Sequence, residues 1–396
     1  MPLVVLACLA YVSMALPDSV LGVAWPSMSA GFHQPLGALG LLLAFGIAAS
    51  VLSSTMTGRI LSRTHIGWLL SGSTVLSAVA LFGYSLAPSL WAVVAATVLL
   101  GLASGAVDSG LNAHAARRFG ARQIIWMHAS YGFGAVIGPA AAASALSAGV
   151  HWRWAYVVIA GTQLVLACVF VRAARYWTAR EDGPATTAAR TDAGTRTHGQ
   201  GVSDGYAVAL SAVVFAVQTG IESGTGLWAY VFLTRGHGFQ PGTAGLAVSG
   251  FWATMCVGRI ALGPVAERLG PAAVLPGAVA GIAAGAAMMT VPGPAIVALA
   301  GMLVVGLAAA PVFPLLTLTT AARVGDDVVD RAVGYQVAAS TVGGAALPSG
   351  MGLLVQHFGA TALGPVVLAL ALVLAFGYGL LARLTTSRAA QIVQEP

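Results

Sequence analysis

The 396-residue chain is 58% hydrophobic and 8% charged, with a formal charge of +6. A soluble domain carries roughly 25% charged residues, so this composition excludes an ordinary soluble protein. All of the basic residues are arginine, and because they are spread over short loops without forming a patch, a nucleic-acid partner is excluded as well. The class of protein that remains is one embedded in a lipid bilayer.

Apolar runs of membrane-spanning length recur along the whole chain. They predict an all-α membrane protein with twelve transmembrane helices. The first span contains Asp18 and lacks both a charged leader and a small-residue cleavage pattern, so we interpret it as a retained helix rather than a signal peptide. The predicted spans, each within about four residues, are 3–31, 36–58, 67–86, 89–116, 123–147, 153–174, 205–233, 240–258, 271–291, 295–321, 331–356 and 361–382.

The first span presents Tyr11, Asp18 and Trp25 at intervals of two helical turns, so all three share one face. An ionisable residue inside a span costs at least a few kcal/mol and is therefore a functional hypothesis by default. A carboxylate between aromatic rings suits a sugar, whose C–H face stacks on rings while its hydroxyls bond to polar groups. We predict that these residues bind substrate. The alternatives are a structural hydrogen bond for Asp18 and an anchor at the membrane interface for Trp25.

The fourth span carries Ser104, Asp108 and Asn112 at every fourth position, which predicts one polar stripe on an otherwise apolar helix. Asp108 lies nine residues before Arg117, or about 13 Å along a helix, near the bilayer midplane. Because such a stripe must face water or protein, Asp108 and Asn112 are candidate functional residues. A structural role for Asp108, satisfied by neighbouring polar groups, is the alternative.

The fifth span places His128 close to the expected cytoplasmic end of the fourth span. We predict that its imidazole pairs with Asp108 or Asn112 and relays a proton. A histidine that only ties two helices together is the alternative. Beyond the sixth span, residues 177–204 form a long polar stretch, which we interpret as a flexible cytoplasmic linker.

The second half of the chain also carries polar residues inside its predicted spans. Gln218 and Glu222 share one face of the seventh span, with Trp228 six residues after the acid, and the eleventh span contributes Gln336. We predict substrate binding by all four, with Glu222 also a proton-coupling residue. Asp18 and Glu222 hold corresponding places in the two halves, which predicts a central cavity. In the tenth span, Pro311 and Pro314 predict a bend.

The two halves are copies of one another. Gly101-Leu102-Ala103 returns as Gly306-Leu307-Ala308, roughly 205 residues later. The repeat predicts two pseudo-symmetric bundles of six helices each, residues 1–176 and 205–396, joined by the linker at 177–204.

A Gly-Arg-Ile triplet follows the second span and also the eighth. We place both copies in cytoplasmic loops and predict that charged residues there latch one conformational state, by pairing with helix ends and with acids on neighbouring helices. The alternative is a plain topology signal. The predicted gate comprises Arg59, Arg63, Arg259, Glu267 and Arg268.

The arginines also predict the topology, because cytoplasmic loops are enriched in positive charge. With twelve spans, only Arg153 and Arg235 fall on the far side, which places both termini in the cytoplasm. The sixteen arginines on the near side are 59, 63, 117, 118, 122, 172, 175, 180, 190, 196, 259, 268, 323, 331, 383 and 388.

No pattern in the chain predicts a metal, a cofactor or an enzyme active site. Cys8, Cys168 and Cys256 all fall inside apolar spans, and metal-binding spacings such as CxxC and HExxH do not occur. No phosphate-binding glycine loop or clustered His/Asp/Ser constellation is present either.

The chain resembles the major facilitator superfamily over nearly its whole length. The residues after the second span resemble that superfamily's cytoplasmic loop motif, although the motif's aspartate is missing. Within the superfamily, the stretches Leu16–Pro26, Asp108–Asn112 and Met127–Gly134 are similar to the fucose–glucose symporter branch and its bypass-of-stop-codon-like relatives. This resemblance implies substrate binding by an acid on the first helix, here Asp18, and proton coupling by an acid on the fourth, here Asp108, with Asn112 beside it as a substrate residue. Glu222 matches a seventh-helix acid common in those relatives.

Together, the residues and the resemblance predict a secondary active transporter that moves a small polar solute, a sugar, by proton-coupled alternating access. We expect a monomer in the plasma (inner) membrane. One alternative is an efflux carrier for drugs or other amphipathic molecules. The alternatives outside transport are an integral membrane enzyme and a receptor.

Overall fold

The computed structural model describes residues 2–178, 201–324 and 328–394. These ranges contain helices and short connections and no strand, so the all-α fold class is confirmed. Twelve stretches within them are long and apolar enough to cross a membrane, which confirms the predicted number of spans.

The chain divides into two compact units. The first comprises Met1–Arg190 with Gln240–Ser249, and the second comprises Thr191–Phe239 with Gly250–Pro396. Residues 179–200 of the predicted linker lie outside the described part of the chain. The division into domains at 1–176 and 205–396 therefore stays a prediction.

Six long helices begin the chain, and each starts and ends close to its predicted span. Within this set α1 packs along α5, α2 along α4, and α3 against both α4 and α6. The helices are α1 (Pro2–Gly31), α2 (Leu39–Leu61), α3 (Ile66–Leu86), α4 (Leu90–Arg118), α5 (Ala121–Ser147) and α6 (Trp152–Thr178).

Glycines allow these helices to approach closely. A Cβ atom added at Gly101 would lie 2.2 Å from the carbonyl oxygen of Gly46, and one at Gly105 would lie 2.2 Å from that of Ser50. Backbone atoms cannot rotate out of the way, so only glycine fits at these two positions of α4. In lipid, where burial from water does not drive helix association, such close contact is a main source of packing energy.

Arg153 ties together one end of the first unit. Its guanidinium nitrogens donate to the carbonyl oxygens of Ser85 and Ala87 at 2.7 and 2.8 Å, and the group lies 4.7 Å from the ring centre of Trp152. These contacts cap the end of α3. Arg153, one of the two arginines predicted to lie on the side opposite the cytoplasm, therefore has a structural role.

The later helices begin with α7 and include one broken span. Pro271 starts α9 directly after Gly270, whose φ of +82° favours glycine because a side chain would be strained there. The helices are α7 (Gly201–Val231), α8 (Pro241–Leu269), α9 (Pro271–Thr290), α10 (Ala295–Ala309), α11 (Val312–Leu318), α12 (Thr320–Val324), α13 (Val329–Phe358) and α14 (Leu363–Gln394).

The predicted tenth span is three helices rather than one. Helix α10 ends at Ala309, and α11 begins at Val312, after Pro311. Neither Pro311 nor Pro314 has the N–H that would continue the helical bonding pattern, so the chain turns between these two helices. The helix is thus interrupted at the place where the two prolines predict a bend.

Helix α8 corrects a second expectation. The predicted span ended at residue 258, which placed Arg259, Glu267 and Arg268 in a loop, but α8 continues to Leu269. All three residues therefore lie in the helix. The predicted boundary was wrong because a single arginine at position 259 does not end the helix: the sequence after it stays largely apolar, and α8 continues through Pro264.

Candidate functional site

Helices α1 and α4 bring Tyr11, Asp108 and Asn112 together. The Tyr11 hydroxyl donates to Oδ1 of Asp108 at 2.7 Å, and the Asn112 amide donates to the same oxygen at 3.0 Å. The amide also lies 3.0 Å from the Tyr11 hydroxyl oxygen. Tyr11 is buried in an apolar cluster with Val107 and Leu111, whereas Asp108 is exposed. A single carboxylate oxygen is thus fixed by two neutral donors.

Helix α5 adds His128 and Tyr131 to this face of α1. The His128 ring lies edge-on to the Tyr11 ring, with centres 5.1 Å apart. One turn further along α5, the Tyr131 hydroxyl donates to Oδ2 of Asp18 at 3.1 Å. Asp18 is exposed, like Asp108. The face formed by α1, α4 and α5 therefore carries two accessible carboxylates, each held by a tyrosine.

Neither carboxylate has a cationic partner in the described ranges. The Arg259–Glu222 contact is the one ion pair that these ranges contain, and it lies in the second unit. Ser104, the third member of the predicted stripe, bonds back to the carbonyl oxygen of Gly101 on its own helix and does not join the cluster. Asp18 and Asp108 are thus acids inside membrane-spanning helices with neutral donors only.

Glu222 on α7 has a different environment. Nη2 of Arg259 on α8 donates to Oε1 of Glu222 at 3.0 Å and also contacts Sδ of Met255 at 3.6 Å. The side chains are 42% exposed for Arg259 and 16% exposed for Glu222. A predicted substrate and proton residue is therefore paired with a residue predicted for the gate.

Gln218 and Gln336 are completely buried in the second unit. The Gln218 amide donates to the carbonyl oxygen of Ala309, the last residue of α10, at 3.2 Å. Gln336 accepts from Thr320 and donates to Ser211, each at 3.1 Å. Both amides connect helices, and the structure does not bring them to an accessible surface beside Glu222.

Trp25 and Trp228 are also buried, at 0% and 1% exposure. Each indole N–H donates to a main-chain carbonyl at 2.8 Å, that of Leu36 for Trp25 and that of Pro348 for Trp228. This burial does not fit the alternative of an anchor exposed at the membrane interface. The indole N–H groups therefore bond to the main chain rather than to Asp18 or Glu222, and substrate binding by the two tryptophans stays a prediction.

The remaining gate residues lie on exposed helix ends. Arg59 is in the last turn of α2, Arg63 follows that helix, and Glu267 and Arg268 are in the last turn of α8. None of these four has an ion pair within the described residues. A gate formed by these residues stays a prediction.

Two residues of interest were missed in the sequence. Arg323 is 6% exposed, donates to the carbonyl oxygen of Leu316 at 2.7 Å and contacts the Thr319 hydroxyl, and burial lowers its pKa to about 10. Its guanidinium thus bonds to a carbonyl oxygen in the last turn of α11, where that helix ends before α12. Tyr131 was missed as the partner of Asp18. The sequence signal that could have identified Tyr131 is its position one helical turn after His128.

Comparisons with known proteins identify the fold and the family. The nucleoside transporter NupG matches with a TM-score of 0.69 at 13% identity, covering 99% of each chain. A bacterial homologue of the human lysosomal transporter Spinster, in an inward-facing and unoccupied conformation, matches with a TM-score of 0.73 at 14% identity, covering 97% of each chain. A D-xylose-proton symporter matches with a TM-score of 0.67 at 14% identity, covering 94% of this chain and 96% of its own.

At such low identity these structures establish similarity of fold alone. No curated protein matches the sequence. A family model described as Major Facilitator Superfamily matches residues 7–348 and again residues 208–394, which together cover nearly the whole chain. With its twelve membrane-spanning helices, the chain belongs to the Major Facilitator Superfamily of transporters.

Proposed function

We propose that the protein is a secondary active carrier that moves a small polar solute, a sugar, together with protons by alternating access. The observation that supports this most strongly is the pair of accessible carboxylates, Asp18 and Asp108, to which the described residues supply neutral donors only. An uncompensated carboxylate inside a membrane-spanning helix is costly unless something neutralises it. A proton taken up during the transport cycle would do so.

The chemistry of the α1–α4–α5 face supports a sugar as the solute. Carboxylate, amide, phenol and imidazole groups lie within one cluster, and these are the groups that bond to hydroxyls and stack on a sugar ring. The similar structures include carriers of D-xylose and of nucleosides, and a nucleoside contains a sugar ring. Asp18, Tyr11 and Asn112 are the substrate residues proposed on this face.

Glu222 and Arg259 support proton coupling in another way. The Arg259 guanidinium donates to the Glu222 carboxylate at 3.0 Å, and a charge-assisted bond of this kind would weaken if the acid became neutral. The proton would then release an arginine that belongs to the predicted gate. We propose that Glu222, Asp108 and His128 couple protons to movement, in the inner membrane, with both termini in the cytoplasm.

Thermal-shift screening tests the proposal, because a ligand that binds the folded state raises its melting temperature. Purified protein is screened at two pH values against hexoses, pentoses, nucleosides and amphipathic cationic drugs. We expect a sugar to raise the Tm, and we expect Asp18→Asn to remove that shift while the variant still folds. Asp204→Asn, at the start of α7 and outside the membrane-spanning part, is the matched control.

Two results would contradict the proposal. A ligand shift that is unchanged in Asp18→Asn would reassign Asp18 to helix packing. A Tm shift produced by the drugs and by none of the sugars would favour the efflux carrier.

A further inference from the structure

The two acids of the α1–α4–α5 face are held in the same way by different helices. Helix α1 contributes one tyrosine and one acid, Tyr11 and Asp18, two turns apart. Its tyrosine donates to Asp108 on α4, and its acid accepts from Tyr131 on α5, at 2.7 and 3.1 Å. Each contact joins residues about a hundred positions apart in the sequence. The pattern therefore depends on how the three helices pack.

We propose that Tyr131 and Tyr11 are positioning residues that set the pH at which Asp18 and Asp108 take up a proton. A hydrogen bond donated to a carboxylate favours its charged form and is stronger than one between neutral groups. The phenol also fixes the direction in which the carboxylate points. This inference rests on the proposed function, because it assigns how the coupling acids would be tuned.

The groups around each acid determine the size of the expected effect. Tyr131 is the one described hydrogen-bond donor to Asp18, with Tyr84 on α3 and Tyr156 on α6 within electrostatic range. Removal of the Tyr131 hydroxyl should therefore have a large effect.

Asp108 has a second donor, Asn112, on its own helix, and His128 faces the ring of Tyr11. Removal of the Tyr11 hydroxyl leaves the amide in place. The effect at Asp108 should therefore be smaller than that at Asp18.

Infrared titration of the purified full-length protein tests the assignment without any solute. The absorption of protonated carboxyl groups is followed against pH, and the contributions of Asp18 and Asp108 are identified by their loss in Asp18→Asn and Asp108→Asn. Tyr131→Phe should raise the midpoint of the Asp18 band by about one pH unit, a tenfold gain in proton affinity. Tyr11→Phe should raise that of Asp108 by less.

Tyr84→Phe is the matched control. It removes a phenol near Asp18 whose hydroxyl contacts Thr97 instead of the acid, so both midpoints should stay unchanged. An unchanged Asp18 midpoint in Tyr131→Phe would overturn the proposal, as would an equal shift in Tyr84→Phe. If Tyr131→Phe does not fold, the Tyr11→Phe titration decides in the same way.

The titration also separates this inference from the proposed function. If the midpoints move as expected but no solute moves with protons, the carrier proposal fails and the role of the tyrosines stands. If proton-coupled transport occurs and the midpoints do not move, the tyrosines are structural.

Discussion

At the scale of residues, the acids of the two units differ in the groups that donate hydrogen bonds to them. Glu222 has an arginine partner at 3.0 Å, whereas Asp18 and Asp108 accept from phenol and amide groups. In the proposed cycle, neutralisation of Glu222 would weaken its contact with Arg259, whereas Asp18 and Asp108 have no such contact among the described residues.

Neutralising a coupling acid should separate exchange from accumulation. We expect Asp108→Asn and Glu222→Gln to catalyse counterflow of a sugar in proteoliposomes but to lose accumulation driven by a pH gradient, because only net uphill transport requires proton release. With one proton per solute, one pH unit supports roughly tenfold accumulation. Parent-like accumulation and pH dependence in both variants would show that protons are coupled at residues other than Asp108 and Glu222.

A histidine between α7 and α8 predicts a pH effect on stability. Burial lowers the pKa of His237 from its ordinary value of 6.5, and Nε2 is buried with no hydrogen-bond partner, while the ring packs edge-on to Phe232 at 4.6 Å. The unfolded chain therefore binds the proton more readily than the folded protein. Stability present above pH 6.5 is lost as the pH falls through and below it.

His237→Phe should remove part of that loss. We expect the parent Tm to fall between pH 7.5 and pH 5 and the variant Tm to fall less, since phenylalanine cannot be protonated. His357→Phe, at an exposed position in the last turn of α13, serves as the control. Identical Tm profiles for the parent and His237→Phe would show that His237 does not contribute.

The residue contacts could be predicted only where they follow from helical periodicity. The bond between Asp108 and Asn112 joins positions four apart, which sequence spacing reveals. The bond from Tyr131 to Asp18 spans 113 positions and depends on the packing of α1 against α5, which spacing does not encode. Sequence patterns likewise do not show whether an amide such as Gln336 faces a cavity or a neighbouring helix.

At the scale of elements, helix contacts depend on glycine. We expect Gly105→Ala to separate α2 from α4, because its Cβ would lie 2.2 Å from the Ser50 carbonyl oxygen, and to cost about 1–3 kcal/mol. Gly161→Ala on α6 is the control, because nothing lies within 4 Å of its Cβ. Thermal unfolding in detergent compares the two. Equal Tm values would contradict the assigned close contact.

The elements themselves were largely predictable, since long apolar runs give the number and approximate position of the spans. Their ends were less predictable. Helix α8 runs past Arg259 to Leu269 because one charged residue does not end a helix whose following residues are again largely apolar. The prolines at 311 and 314 indicated where the tenth span is interrupted, whereas the contact of Gln218 with the Ala309 carbonyl at the end of α10 does not follow from sequence spacing.

At the scale of the whole molecule, arginine placement predicts the topology. We expect both termini and the linker at 177–204 to be cytoplasmic, because sixteen of eighteen arginines fall on that side of the predicted spans. Single cysteines are introduced at position 190 and, as the matched control, at exposed position 34 between α1 and α2, in a background without the three natural cysteines. An impermeant maleimide should label intact cells at position 34 only. Labelling at position 190 would contradict the topology.

The central claim is that solute and protons move together. The most direct measurement is the internal pH of proteoliposomes that contain the purified protein and a trapped pH-sensitive dye, after addition of D-xylose, D-glucose, L-fucose or uridine outside. We expect that at least one of these solutes changes the internal pH and that Asp18→Asn abolishes the change. Entry of a radiolabelled solute through the parent protein with no change in internal pH would contradict it.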